Sequence, residues 1–142
     1  MKTNGNPTNA SRLAEIDHVS VTFYTPRGTV RAVRDASLHI ERGEVVGLVG
    51  ESGCGKSTLA LAMMGYLPGK AEVTGSLNFE GEDIIQMSPE RLRSLWGNRI
   101  AMVYQDPATA LNPTMRVGRQ VEEVLEHHLS LRQSQAHDKT VD

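Results

Sequence analysis

Gly50-Glu51-Ser52-Gly53-Cys54-Gly55-Lys56-Ser57 matches the pattern G-x-x-x-x-G-K-[ST] at every position. The chemistry that needs such a pattern is the grip on a polyphosphate. Several negative charges sit in a small volume, so backbone N–H groups must converge on them without side chains in the way. Glycines allow that close wrap and the positive φ it requires. A helix opening near Lys56 would aim its unpaired N–H groups and positive dipole end at the same charges. On this reading Lys56 bridges the β- and γ-phosphates, the Ser57 hydroxyl ligates Mg²⁺, and Thr58 adds a contact to the α-phosphate. Cys54 lies inside the loop. It is either a small residue that fits there or a thiol of lowered pKa near a helix N-terminus.

The flanking residues must position that loop. Val45-Val46-Gly47-Leu48-Val49 is short, continuous and apolar, which predicts a strand buried on both faces. Lys56 to Tyr66 reads as a helix ending near Gly65 and Pro68. Before this unit, Val19, Val21 and Phe23 alternate with polar residues, Thr25–Gly28 is a turn, and Leu38 and Ile40 alternate again. After it, Ser76 to Phe79 is a weak strand. Ser88-Pro89-Glu90 opens a helix that stops at Gly97, and Ile100 to Tyr104 predicts a second buried strand, ended by Gln105-Asp106-Pro107. Val117, Val121, Val124, Leu125 and Leu129 recur at helical spacing, with Glu122, Glu123 and Glu126 as a solvated face. Residues 1–12 read as a disordered lead-in and 131–142 as a frayed polar tail.

Composition excludes several classes. The chain has 142 residues, 15 Lys+Arg against 17 Asp+Glu and a net charge of −2, so it is not a nucleic-acid binder working by bulk charge. The longest apolar run, Leu59 to Met64, is far short of the roughly 18 residues a spanning helix needs. Met1 to Pro7 lacks the apolar core of a secretory leader. The single cysteine excludes an internal disulfide and a multi-cysteine zinc site, and it fits a reducing cytosol. His18, His39, His127, His128 and His137 have no partners at metal-ligand spacing and read as surface or packing residues, as does Trp96.

The loop Gly50–Thr58, the lead-in Ile40-Glu41-Arg42-Gly43-Glu44, the block Met102-Val103-Tyr104-Gln105-Asp106-Pro107 and the stretch Ala110 to Gly118 together resemble the ATP-binding subunits of ABC transporters. The peptide/nickel importer branch is the nearest in pattern. The resemblance runs from about Ile16 to Leu129. It implies an α/β fold: a P-loop NTPase (RecA-like) core with an antiparallel β subdomain, residues 13–130 being the N-terminal part of the nucleotide-binding domain. It further implies ATP and Mg²⁺ as cofactors, with Gly50, Glu51, Ser52, Gly53, Cys54, Gly55, Lys56, Ser57 and Thr58 as the Walker A loop. Gln105 becomes the Q-loop residue that contacts Mg²⁺ or the attacking water. Phe23, or next Tyr24, becomes the aromatic stacked on adenine, although Phe23 also completes the Val19/Val21 apolar face. The implied partners are transmembrane permease subunits and a second ATP-binding subunit, with no nucleic acid, on the inner face of the cell membrane.

The same resemblance exposes an absence. No Ser-Gly-Gly signature, no apolar run closing on Asp-Glu and no switch histidine in a strand context follow Gln105. The sequence therefore reads as truncated before the signature motif, with hydrolysis near background. A GTPase reading lacks an Asn-Lys-x-Asp guanine reader, and a small-kinase reading leaves Gln105–Gly118 unexplained.

Overall fold

The structure is a computed structural model and describes residues 12–106 and 111–141. Residues 1–11 of the lead-in, and Pro107 and Ala110 of the motif blocks, lie outside the described residues; Arg12, the last of the lead-in, instead opens the first strand. The chain divides into two compact units, Met1–Arg93 and Ser94–Asp142.

The first unit is built on an antiparallel sheet of order β2-β1-β3-β4. Its strands are β1 (Arg12–Thr25), β2 (Gly28–Glu41), β3 (Ala71–Phe79) and β4 (Glu82–Asp83). β1 is interior because both of its neighbours pair with it, and it supplies Ala14, Ile16, Val19 and Val21 to the core. The odd step from Ile16 to Val19 would put them on opposite faces of a regular strand. A register shift there, with His18 at φ 49°, restores them to one face. Polar ties hold the bulge: the Ser37 hydroxyl accepts from the His18 amide at 2.9 Å, and the Asp35 carboxylate meets the His18 ring at 2.6 Å.

Helix α1 (Lys56–Met63) lies on this sheet, contacts β1, β2 and β3, and buries Leu59 and Ala62. A 3₁₀ turn, Ile84–Gln86, is capped by the Asp83 carboxylate accepting from Ile85 N–H at 2.9 Å. Helix α2 (Pro89–Leu95) starts as its sequence predicts, with the Ser88 hydroxyl accepting from Arg91 N–H at 3.2 Å.

Two strand expectations fail. Residues 44–51 have no regular structure, and Val45 and Val49 are 96% and 98% exposed. Residues 101–106 are likewise irregular; only a single bridge, Trp96 to Ile100, precedes them, and Val103 is 95% exposed. The physical reason is common to both. A strand is stabilised by a neighbour that takes its N–H and C=O groups, and among the described residues neither run has one.

The second unit holds helices α3 (Val117–Leu129) and α4 (Gln133–Val141), packed on each other. The Gln120 amide ties down the turn before α3: its oxygen accepts from Asn112 N–H at 2.9 Å, and its nitrogen donates to the Asn112 and Met115 carbonyls, each at 3.0 Å. α4 corrects the frayed-tail expectation, because Ala136 is fully buried. Glu122 corrects another. It is buried at 9% exposure, sharing the Arg119 guanidinium with Glu126 and meeting the His137 ring at 2.7 Å. Among the described residues, no helix is long and apolar enough to cross a membrane.

Candidate functional site

The glycine loop ends at Gly55, which caps α1 in the left-handed conformation, φ 95° and ψ 3°, with no side-chain cap. A Cβ on Gly55 would stand 2.4 Å from the Ala32 carbonyl oxygen and 3.3 Å from Val33 Cγ2, so the loop presses directly on β2. Gly53 is also left-handed, at φ 80°, in a turn closed by Cys54 N–H to Glu51 O at 3.3 Å. The first main-chain bond of α1 is Leu59 N–H to Gly55 O at 2.8 Å. The amides of Lys56, Ser57 and Thr58 therefore have no main-chain partner among the described residues, the ordinary condition of a helix N-terminus and a ready anion site.

Lys56 folds back over the loop. Its ammonium donates to Gly50 O at 2.8 Å and Glu51 O at 2.7 Å, and reaches Cys54 Sγ at 3.3 Å. An ammonium has three donors and no acceptor, so the loop itself supplies its partners. Phosphate oxygens would be stronger ones, since a charge on both sides of a hydrogen bond shortens and strengthens it. Ser52, Cys54 and Ser57 are exposed and Thr58 is half-buried. A hard hydroxyl oxygen at Ser57 suits a Mg²⁺ ion shared with phosphates, and the described residues hold no cluster of three His, Cys, Asp or Glu side chains that would bind a metal independently.

The loop forms one side of a cleft of about 580 Å³, whose other lining includes Arg31, Val33, Arg34, Leu48, Val49 and Leu59. Phe23 and Tyr24 are not among its lining residues. Phe23 is half-buried in the ladder, paired with Val30 and Ala71. Tyr24 is engaged elsewhere: its hydroxyl donates to Glu72, whose hydrogen bond and charge raise the phenol's pKa, and the Lys70 ammonium lies 5.9 Å from its ring centre. Gln105 is exposed on the irregular segment of the second unit. Arg31 and Arg34 are cleft residues that sequence reasoning missed, since an arginine on a strand reads as solvated and no motif marks these two.

The family model described as ABC transporter matches residues 33–142. The oligopeptide transport ATP-binding protein OppD of Salmonella typhimurium is 42% identical over 135 residues, covering 95% of this chain and 40% of that protein. The probable D,D-dipeptide transport ATP-binding protein DdpD of Escherichia coli is 41% identical over 130 residues, covering 90% and 40%. The chain thus spans about 40% of the length of these relatives. Among solved structures, a dimeric post-hydrolysis state of the ATP-binding cassette MJ0796 bound to ADP and Pi superposes with a TM-score of 0.70 at 19% identity, covering 90% of this chain and 54% of that one. CbiO1 from Clostridium perfringens, part of the cbiONQ complex, gives 0.60 at 24%, covering 90% and 47%. These likenesses show the fold, a RecA-like P-loop fold with an antiparallel sheet. With its family match over residues 33–142, the chain belongs to the ABC transporter family.

Proposed function

We propose that this chain is the nucleotide-binding part of the energy-coupling subunit of an ABC importer for peptides or related small solutes. The observation that carries the reading is the Lys56 ammonium held over a glycine loop at the start of α1, lining a cleft of about 580 Å³. The names of the relatives, oligopeptide and D,D-dipeptide transport ATP-binding proteins, support the solute class. The ligand is Mg-ATP. Lys56 exchanges its loop carbonyls for β- and γ-phosphate oxygens, the amides of Lys56, Ser57 and Thr58 cradle the phosphates, and the Ser57 hydroxyl ligates the metal. Mg²⁺, when bound, neutralises charge developing on the transferred phosphoryl group. Gln105 senses the γ-phosphate and links the site to transmembrane permease subunits, with a second ATP-binding subunit alongside.

A second reading rests on a specific sequence observation. No Asp-Glu pair closes an apolar run and no Ser-Gly-Gly segment follows Gln105, so the carboxylate that polarises water and the loop presented to a partner's γ-phosphate have no counterpart in these 142 residues. On that ground the chain alone binds nucleotide without turning it over. Phosphate release from ATP by the purified chain tests this: the expected rate is that of buffer. Turnover that Lys56→Ala abolishes would show catalytic competence and overturn the binding-only reading.

A further inference from the structure

We propose that Arg31 and Arg34 are phosphate-binding residues, a second cationic wall that holds the polyphosphate from the β2 side of the cleft. The inference rests on the reading of the loop as a phosphate site and extends it to residues outside the motif. Both arginines line the same cleft as residues 53–56. A step of three would send them to opposite faces of a regular strand. β2 is not regular there. Arg31 pairs with Thr22 and Val33 with Val21, so Ala32 is an extra residue, and a bulge between the two arginines resets the alternation. Bulges commonly re-aim a side chain beside a site. The bulged residue is also the one that Gly55 touches, so the wall and the loop are fixed to each other by direct contact.

Charge points the same way. Arg12, Arg42, Arg93 and Arg119 each pair with a glutamate, whereas the side chains of Arg31 and Arg34 have no ion pair or hydrogen bond among the described residues. The neighbouring carboxylate on β2, Asp35, is taken by His18 at 2.6 Å. The cleft lining therefore carries three cations, Arg31, Arg34 and Lys56, and no carboxylate. A planar guanidinium matches two oxygens of a phosphate at once. The ligand class is thus the phosphate chain of a nucleotide, and tightness should rise with the number of phosphates.

The test titrates the full chain with Mg-ATP and with AMP, at low and high salt. Arg31→Gln combined with Arg34→Gln is expected to weaken ATP about tenfold, the scale of one charge-assisted hydrogen bond. It should change AMP far less and flatten the salt dependence of ATP binding. The pair Arg31→Lys with Arg34→Lys should recover most of the loss. Both positions are exposed, and an unchanged thermal midpoint checks that the fold is intact. An ATP affinity within twofold of the parent in the glutamine variant, while Lys56→Ala has lost ATP, overturns the inference alone. ATP binding that survives Lys56→Ala, or a parent chain that takes up no ATP, removes the phosphate-site reading and this inference with it.

Discussion

Replacing Gly55 with alanine separates backbone strain from steric contact in the loop. At φ 95° an L-residue pays for the left-handed conformation, about 1–2 kcal/mol. The added Cβ would also stand 2.4 Å from the Ala32 carbonyl oxygen, a main-chain atom of β2 that cannot swing aside like a side chain. Forcing atoms into a packed contact costs about 1–3 kcal/mol more. The total for Gly55→Ala is therefore about 2–5 kcal/mol. Gly53 is the control. It is also left-handed, at φ 80°, but nothing lies within 4 Å of its Cβ position, so Gly53→Ala should cost only the strain, about 1–2 kcal/mol. Urea unfolding of the two variants measures the difference directly. Because Gly55 caps α1, its variant should also shift the helix start and weaken Mg-ATP uptake. Equal destabilisation by the two substitutions would refute the claim that the loop is pinned to β2 through Gly55.

Other outcomes follow from the same structure. Leu77→Ala, at a side chain 2% exposed beneath α1, should destabilise by about 2–5 kcal/mol, while Val121→Ala, at 43% exposure, should stay within about 0.5 kcal/mol, both read from urea midpoints. The α3–α4 pairing should depend on pH. The Glu122 hydrogen bond and charge raise the His137 imidazole above its ordinary 6.5, and the His137 hydrogen bond, with Arg119, lowers the Glu122 carboxyl below its ordinary 4.5. The pair then stabilises fully between those ordinary values. It is lost on the acid side as Glu122 protonates and on the alkaline side as His137 deprotonates. Hydrogen exchange across Gln133–Val141 should be slowest in that window, and His137→Ala should flatten the profile; exchange independent of pH after correction for its intrinsic rate would contradict the pairing. Alkylation of the exposed Cys54, whose sulfur meets Lys56, should block nucleotide by bulk, and unchanged ATP affinity after full modification would reject that.

What the sequence made legible has local causes. The Ser88 cap, the start of α1 at Lys56 and the span of α3 are written in residues within a turn of each other. The glycine loop is legible for the same reason, since its conformation is set by Gly53 and Gly55 themselves. Val45–Val49 and Ile100–Tyr104 show the limit. Apolar runs of that kind say what a segment becomes once a neighbour pairs with it, and the neighbour is not encoded in the run. Glu122 shows another limit: its burial depends on α4 docking through Ala136, which a polar stretch with one buried alanine does not announce. Arg31 and Arg34 depend on a bulge, and a bulge is a property of two strands in register.

Calorimetric titration of the full chain with Mg-ATP, beside Lys56→Ala, tests whether the loop binds a polyphosphate through Lys56. One nucleotide should be taken up per chain, with the uptake gone in the variant and the fold unchanged by circular dichroism. Heat of binding that is absent from the parent, or identical in the two proteins, would contradict it.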